Sequence, residues 1–379
     1  MKIAFNLLPY GDYSHCGAAY YLKNIIMLLK DMPTKYQIVL ICSDRDISAV
    51  FKAENSLTII EIPGSWVKIR WKRAILEQIL IPYYCIKYGI QCVISNYTVP
   101  LMAPCSKIVI VHDMLYRRFP KLLPFSKLIY WSIMVYFSIR YSAAIITVSQ
   151  FSANEICAFY PKARDRIFIT SESIRSTLSL KQKRESFPEL ARKPYLLCVS
   201  AFYKHKNLRN LIKAFASLSN DLKDLSLVLV GSILTPELRK ERDILQGMVS
   251  DFALSARVQF KYNVTDEWLA NLYQNASAFV LPSLYEGFCL PIIESQYFGC
   301  PVLCSDLPIF REVAGSAAIR FDSSSVDSIR KAILDLMIDQ NLRKQLVIDG
   351  YSNIKRYTWE FSVARFSEAI NFSISGISL

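Results

Sequence analysis

Short apolar runs alternate with longer helical patterns along almost the whole chain. The apolar runs are rich in Val and Ile and nearly continuous in hydrophobicity, as strands covered on both faces should be. In the first half they are Lys2–Leu7, Gln37–Cys42, Leu57–Ile62, Cys92–Ser95, Lys107–His112 and Ala144–Ser149. The helical patterns between them are Ala18–Leu29, Ala74–Tyr88, Phe125–Tyr141 and Ser152–Phe159. This alternation predicts an α/β fold with a parallel, doubly wound sheet.

The alternation stops once and then resumes. A charged stretch near residue 181 has no apolar period, and a second series of strand and helix patterns begins near residue 195. The chain has 379 residues, whereas a single core usually stops growing near ~250–300 residues. We therefore predict a Rossmann-like domain over 1–175, a linker over 176–193, a second Rossmann-like domain over 194–355, and a C-terminal helix over 356–379 that packs back on the first domain. Tandem domains of this kind place a ligand cleft between them, at the carboxyl ends of the strands.

The net charge of +13 is concentrated in the N-terminal half. Residues 1–180 hold 21 Lys and Arg against 11 Asp and Glu, whereas residues 181–379 hold 24 against 21. This asymmetry indicates an anionic partner: nucleic acid, a phosphorylated substrate or an anionic membrane surface. Nucleic acid is disfavoured because no nucleic-acid-binding module is recognisable. Trp66–Arg73 interleaves basic and aromatic residues, which suits a membrane interface as well as a solvated helix start.

Three features bear on the compartment. The apolar stretch Leu128–Ile139 is shorter than the ~20 residues that span a bilayer, so it predicts a buried or membrane-surface helix. Met1–Leu8 is typical of a first strand and not of a signal peptide. The ten cysteines lie mostly in apolar runs and indicate a reducing compartment. We therefore expect a cytoplasmic protein, attached peripherally at the inner face of the cytoplasmic membrane.

The Cys, His and Asp residues of the sequence show no spacing typical of a metal site. The cysteines form no C-x-x-C pair, and no histidine spacing suggests zinc. Asp44-Arg45-Asp46 lies in a charged loop after the second predicted strand, and we interpret it as solvated. The three histidines, His15, His112 and His205, each lie at the C-terminal end of a predicted strand, at the edge of the sheet that faces ligands.

A loop and helix start near the C-terminal third carry two carboxylates, Glu286 and Glu294, with seven residues between them. Pro291 suits the first turn of a helix, and the amides of such a turn bind anions such as a diphosphate. Carboxylates accept bidentate hydrogen bonds, which suits the hydroxyls of a sugar. The segment therefore indicates a site for a phosphorylated sugar compound.

This segment resembles the E-x7-E motif of retaining glycosyltransferase family 4, in its mannosyltransferase-like group 1 branch. The matching residues are Pro282-Ser283-x-Tyr285-Glu286-Gly287-Phe288-x-Leu290-Pro291-x-x-Glu294, Gly299-x-Pro301-Val302, Val111-His112-Asp113 and Tyr203-Lys204-His205-Lys206-Asn207-Leu208. The resemblance covers nearly the whole chain. It implies the GT-B architecture, in which two Rossmann-like doubly wound domains face each other across a cleft.

The resemblance also implies roles for individual residues. Lys206 and His205 would bind the donor diphosphate, and His112 would touch the transferred sugar. Glu286 would grip that sugar together with the backbone of Gly287, Phe288, Cys289 and Leu290. Glu294 would bind the ribose, and Gly17 would let the backbone approach the diphosphate or acceptor. His112, Lys206 and Glu286 are the predicted catalytic residues.

Four positions depart from the family pattern. Cys16 stands before Gly17 in the first loop, where the family has two glycines. His205 stands where the family often has Arg, which weakens the neutralisation of phosphate charge. Cys289 replaces a second Gly and should restrict the backbone conformations that this loop can adopt. Tyr262 replaces a Gly near the expected nucleobase site and could stack on a base.

The implied activity is transfer of a hexose, with mannose as the first choice, from a nucleoside-diphosphate sugar to a glycan or polyprenyl-linked glycan in cell-surface polysaccharide synthesis. GDP-mannose is the first choice of donor, and no metal or other cofactor is expected. Two alternatives remain open at this point: an epimerase of the same fold that acts on the nucleotide sugar, and a catalytically silent binding subunit of a glycan-assembly complex.

Overall fold

The computed structural model describes residues 1–10, 17–32, 35–43, 51, 56–175, 178, 193–218 and 221–375. Contacts divide the chain into two units: unit 1 is Met1–Glu172 with Thr358–Leu379, and unit 2 is Ser173–Tyr357. The expected linker, 176–193, lies outside the described residues except at positions 178 and 193. His15 and the Asp44-Arg45-Asp46 loop also lie outside them.

Unit 1 is built on a parallel sheet of seven strands in the order β3-β2-β1-β4-β5-β6-β7. The strands are β1 (Lys2–Asn6), β2 (Gln37–Ser43), β3 (Thr58–Ile62), β4 (Cys92–Asn96), β5 (Ser106–Ile110), β6 (Ala144–Thr147) and β7 (Ile167–Ile169). The first six match the six apolar runs of the sequence. The predicted strands do not include β7, because its apolar run, Ile167–Ile169, is only three residues long.

Helices cover both faces of this sheet. They are α1 (Gly17–Lys30), α2 (Gly64–Val67), α3 (Arg70–Tyr88), α4 (Leu115–Arg118), α5 (Phe125–Tyr141) and α6 (Gln150–Phe159). Helix α3 ends where Gly89 takes a left-handed conformation with φ 63°, a common helix stop. Helix α6 begins after Ser149, whose side chain accepts a hydrogen bond from Ser152 N.

Unit 2 repeats the plan with six parallel strands in the order β10-β9-β8-β11-β12-β13. The strands are β8 (Tyr195–Val199), β9 (Ser226–Val230), β10 (Val258–Lys261), β11 (Ala278–Leu281), β12 (Val302–Ser305) and β13 (Ile319–Phe321). The helices are α7 (Leu208–Ser217), α8 (Pro236–Asp251), α9 (Asp266–Asn275), α10 (Leu290–Tyr297), α11 (Pro308–Ala314), α12 (Val326–Ile338) and α13 (Gln340–Asn353). Buried Leu, Ile, Val and Phe side chains of these helices and strands form its core.

The last helix, α14 (Trp359–Ser375), returns to unit 1. Its Phe366 ring stacks on Phe5 of β1 at 6.0 Å between centroids. At its far end Ser106 Oγ donates a hydrogen bond to the carbonyl oxygen of Ser373 at 2.7 Å. The two ends of the chain are therefore parts of one folded unit.

The strand order reverses direction between β1 and β4 in unit 1 and between β8 and β11 in unit 2. Connections on the two sides of such a point leave on opposite faces of the sheet, which opens a crevice at the carboxyl ends of the strands. Each unit therefore has one favoured place for a ligand. Among the described residues, no helix combines the length and apolar character needed to cross a membrane.

Candidate functional site

The loops that follow β8 and β11 meet at the crevice of unit 2. The first loop folds into a short 3₁₀ turn, Lys204–Lys206, and Asn207 then takes a left-handed conformation with φ 58° before α7. Leu284 N, in the second loop, donates a hydrogen bond to the His205 carbonyl oxygen at 2.7 Å. Asn207 Nδ2 donates to the Pro282 carbonyl oxygen at 3.1 Å. These hydrogen bonds fix the position of the two loops relative to each other.

This arrangement brings Lys206 and Glu286 together. Lys206 Nζ lies 2.5 Å from Glu286 Oε1, and their side chains are only 16% and 12% exposed. An ammonium group has three N–H donors, so Lys206 can keep this bond and still donate to a phosphate oxygen. The second carboxylate oxygen of Glu286 can accept from a hydroxyl group. The pair thus combines an anion-binding and a hydroxyl-binding function in one place.

His205 lies against this pair but carries no charge near neutral pH. Its ring stacks on Tyr203 at 5.6 Å and 15°. Burial, and then the positive charge of Lys206, lower the pKa of His205 to about 4, although Glu286 acts in the opposite direction. A neutral imidazole cannot replace the guanidinium that the family pattern often has here. Lys206 therefore supplies the positive charge of this turn nearest to Glu286.

The backbone between Glu286 and α10 has an unusual conformation. Cys289, directly before the helix, has φ 94° and ψ 76°, in the region that favours glycine. This agrees with the family pattern, in which Gly is usual at this position. Phe288 and Leu290 are buried, and the Phe288 ring packs edge-to-face on Tyr357 at 5.4 Å. Their side chains are thus structural, and only their backbone can reach a ligand.

A buried hydroxyl near this loop has no protein partner among the described residues. Ser283, two residues after β11, is fully buried, and its Oγ makes no hydrogen bond. Buried polar atoms are rarely left in this state.

Glu294, on α10, is held by residues that the sequence did not reveal. It is 1% exposed and accepts bonds from Arg175 Nε at 2.6 Å, Arg175 Nη2 at 3.2 Å and Tyr273 Oη at 3.1 Å. Arg175 Nη1 also donates to Asp266 at 2.8 Å. A buried carboxylate requires a partner, but Arg175 is 119 residues away in sequence. No local pattern could have identified it.

In unit 1, His112 lies just beyond β5 and is 8% exposed. Its ring contacts Tyr21 edge-to-face at 5.5 Å and Tyr97 at 6.1 Å. Nδ1 is 3.9 Å from Glu172 Oε1, whereas Nε2 is buried and has no protein partner in the part of the chain that the structure describes. Burial lowers the pKa of His112 to about 4. A neutral imidazole with one open nitrogen is suited to hydrogen-bond a hydroxyl group.

Gly17, the other predicted residue of unit 1, is the first residue of α1 and is exposed. The residues before it lie outside the described part, so its expected role stays a prediction. Within the described ranges, no group of three or more His, Cys, Asp or Glu side chains could hold a metal ion.

The chain is similar to known proteins in both sequence and structure. The family described as "Glycosyl transferases group 1" matches residues 180–353. The O-antigen chain mannosyltransferase B of Escherichia coli is 30% identical over 254 residues, and the O-antigen chain mannosyltransferase RfbU of Salmonella typhimurium is 28% identical over 254 residues. Each of these matches spans 66% of this chain and 66% of the relative, so about a third of each relative has no counterpart in the alignment.

Two solved structures have the same fold over nearly their whole length. The sucrose-phosphate synthase of Thermosynechococcus elongatus matches with a TM-score of 0.79 and 17% identity, covering 99% of this chain and 100% of that one. The Anabaena protein HepE, solved in complex with UDP and glucose, matches with a TM-score of 0.75 and 16% identity, covering 98% and 99%. With its two Rossmann-like units of GT-B type and its group 1 domain, the chain belongs to the group 1 glycosyltransferases.

Proposed function

We propose that this protein is a retaining hexosyltransferase of cell-surface polysaccharide synthesis. It moves a hexose, with mannose as the first choice, from a nucleoside-diphosphate sugar to a hydroxyl of a glycan or polyprenyl-linked glycan. The names of its bacterial relatives, both O-antigen chain mannosyltransferases, support the sugar and the pathway class. The observation that carries the proposal is the Lys206–Glu286 pair, 2.5 Å apart at the crevice of unit 2.

In this proposal the diphosphate of the donor binds at Lys206 and the start of α10. The ammonium group and the positive end of the helix dipole both favour an anion. Their catalytic effect is to stabilise the negative charge that develops on the diphosphate as the bond to the sugar breaks. Leu290 is the first residue of α10, and Pro291 after it has no N–H group. The amide of Leu290 is therefore the helix donor nearest to the loop.

Glu286 then binds a hydroxyl of the donor sugar, and His112 is assigned to the same sugar. Both side chains can form hydrogen bonds with the uncharged hydroxyl groups of a sugar. The carboxylate accepts, and a neutral imidazole accepts or donates according to its tautomer. Because the pKa of His112 is lowered to about 4, it stays neutral at physiological pH. It therefore orients the sugar without adding a positive charge.

Glu294 is assigned to the ribose, but through a single hydrogen bond. A carboxylate offers about four acceptor sites, and Arg175 and Tyr273 occupy three of them. One site remains for a hydroxyl of the nucleotide. Arg175 thus sets the orientation of Glu294 and limits how many bonds it can make to a ligand.

We assign the reaction to the cytoplasm at the inner face of the cytoplasmic membrane, with peripheral attachment. We expect GDP-mannose as donor, no requirement for a metal ion and no nucleic-acid partner. Lys206 and the start of α10 carry positive charge that would otherwise require a cation at the diphosphate.

The test is a donor screen with GDP-, UDP- and dTDP-sugars in the presence of a metal chelator. Thermal stabilisation and sugar transfer are measured on the wild type, Lys206→Ala and the control Lys204→Ala, which removes an exposed lysine from the same turn. We expect one nucleotide class to stabilise the wild type and Lys206→Ala to lower turnover about 10²–10³-fold, with Lys204→Ala within twofold of wild type. No binding of any nucleotide sugar would reject the proposal. Binding without transfer to any acceptor would support a silent subunit.

A further inference from the structure

Helices α3 and α5 of unit 1 are apolar on two opposite faces. One face of α3 packs into the core through Ile81 and Cys85. Its other face carries large apolar side chains that are 53–73% exposed; they are Trp71, Ile75, Ile79, Tyr83 and Ile86. The spacing of four, four, four and three residues keeps these side chains on one side of the helix.

Helix α5 repeats the arrangement. Val135, Ser138 and Ile139 face the core. Its outer face carries large side chains that are 36–77% exposed; they are Phe125, Ile129, Tyr130, Ile133, Tyr136, Phe137 and Tyr141. Surface helices of a globular protein usually present polar residues on this side. Both helices therefore lack the usual solvent-facing polarity.

The two outer faces belong to one surface. The β3–β4 and β5–β6 connections run in the same direction across the sheet, and right-handed crossovers therefore place α3 and α5 on the same side of it. Both helices bind the same residue between them: Gln78 Nε2 of α3 donates to the Val99 carbonyl oxygen at 3.1 Å, and Val99 N donates to Ser138 Oγ of α5 at 3.0 Å. Met102, in the same loop, is 80% exposed. We call this surface, formed by the exposed apolar side chains of α3 and α5, the α3–α5 face.

The charges around the α3–α5 face have one sign. Residues 64–88 contain five Lys and Arg, and residues 115–141 contain another five. The acidic residue of these two segments is Glu77, which is buried and bonded to Asn6 and Arg73. The exposed basic residues include Lys68, Lys72, Lys87, Lys121 and Arg140. A wide apolar surface bordered by cations is complementary to lipid chains beneath anionic headgroups.

We propose that the α3–α5 face binds an anionic phospholipid surface, with its Trp, Tyr, Phe and Ile side chains inserted at the level of the headgroups and its lysines and arginines on the headgroup phosphates. Tyr and Trp favour this interface because one end of the ring system is apolar and the other polar. Neither helix qualifies as a membrane-crossing segment. Both helices therefore lie along the surface of the bilayer. This inference extends the proposed membrane attachment and holds whichever sugar donor is used.

The test is cosedimentation of the full chain with vesicles of phosphatidylglycerol and phosphatidylcholine. The variant combines Ile79→Ser, Ile86→Ser, Phe125→Ser and Ile133→Ser. The control combines Ile338→Ser and Ile348→Ser, which removes apolar side chains that are 70% and 61% exposed on α12 and α13 of unit 2. All variants are first checked for wild-type circular dichroism and nucleotide-induced thermal stabilisation, so that loss of fold and loss of the donor site are recognised separately.

We expect the wild type and the control to bind anionic vesicles, and the fourfold variant to bind at least tenfold more weakly. Binding of the wild type should also fall as salt is raised, because the headgroup contacts are electrostatic. Equal binding by the fourfold variant, or no binding by the wild type, would overturn the proposal. A dimer in velocity sedimentation that the fourfold variant converts to a monomer, with vesicle binding unchanged, would assign the face to a second copy of the chain instead.

Discussion

The buried ion pair between Arg175 and Glu294 leads to a large and specific stability prediction. Arg175→Leu removes two hydrogen bonds to a carboxylate that is 1% exposed. Leaving one partner of a buried pair without its counter-charge costs about 3–5 kcal/mol. The lost contact of Arg175 with Asp266 adds little, since the Asp266 side chain is 32% exposed and water replaces the bond. We therefore expect unit 2 to lose about 3–5 kcal/mol in its free energy of unfolding.

The matched variant is Glu294→Gln in the Arg175→Leu background. The amide removes the buried charge but keeps an oxygen that can accept from Tyr273. If the unpaired charge causes the loss, this second substitution should restore about 2 kcal/mol, although Glu294→Gln alone destabilises the wild type. The two substitutions are then strongly non-additive, as expected for residues in direct contact.

Calorimetry and pulse proteolysis provide the measurement. A loss of 3–5 kcal/mol corresponds to a fall in Tm of about 10 °C for a unit of this size. Because the two units can unfold separately, the transition of unit 2 is identified as the one that nucleotide sugars shift. Additive effects of the two substitutions, or a loss below about 1 kcal/mol for Arg175→Leu, would refute the view that Glu294 is a buried charge held by Arg175.

Cys289, Glu77 and His112 each have a backbone conformation or a burial that a single substitution should reveal. Cys289→Gly should be more stable than Cys289→Ala by about 0.5–1 kcal/mol in denaturant unfolding, because glycine relieves the positive φ at some cost in unfolded-state entropy; equal stability of the two variants would contradict this strain. Burial raises the pKa of Glu77 to about 7, so its contribution to stability is full below pH 4.5 and is lost as the pH rises to about 7. The stability of Glu77→Gln relative to wild type should therefore increase over this range, by up to about 3 kcal/mol, and a pH-independent difference would show that the carboxyl titrates normally. Burial lowers the pKa of His112 to about 4, so the pH dependence of its contribution to stability has the opposite direction. That contribution is full above pH 6.5 and is lost as the pH falls towards 4. His112→Asn should remove this acid sensitivity in equilibrium unfolding and lower sugar transfer at pH 7 about 10²-fold; unchanged turnover would exclude a role for His112 in the reaction.

The elements of the fold could be predicted because their signals are local. The helix predicted over Phe125–Tyr141 has these bounds in the structure, and the predicted strand Gln37–Cys42 differs from β2 by one residue. Apolar periodicity carries this information within a window of a few turns. The strand β7 lacks such a pattern, because three residues are too few to show a period.

The site was predictable only in part. The family resemblance implied that Lys206 and Glu286 bind the same donor, and their side chains are in contact. Their positions follow from strand order, since parallel strands end at one edge. Arg175 was missed, because a contact over 119 residues leaves no trace in local spacing. The neutral state of His205 also depends on burial, which residue type alone does not reveal.

The sequence by itself determined the succession of strands and helices, the two doubly wound units and the family resemblance, because each rests on residues close together in the chain or on motif spacing. The tertiary structure decided which side chains lose contact with water and which meet across long separations. It paired Glu294 with Arg175 and left apolar faces of α3 and α5 uncovered. Burial and long-range contact depend on how the elements pack against one another, and that packing is a property of the whole folded unit.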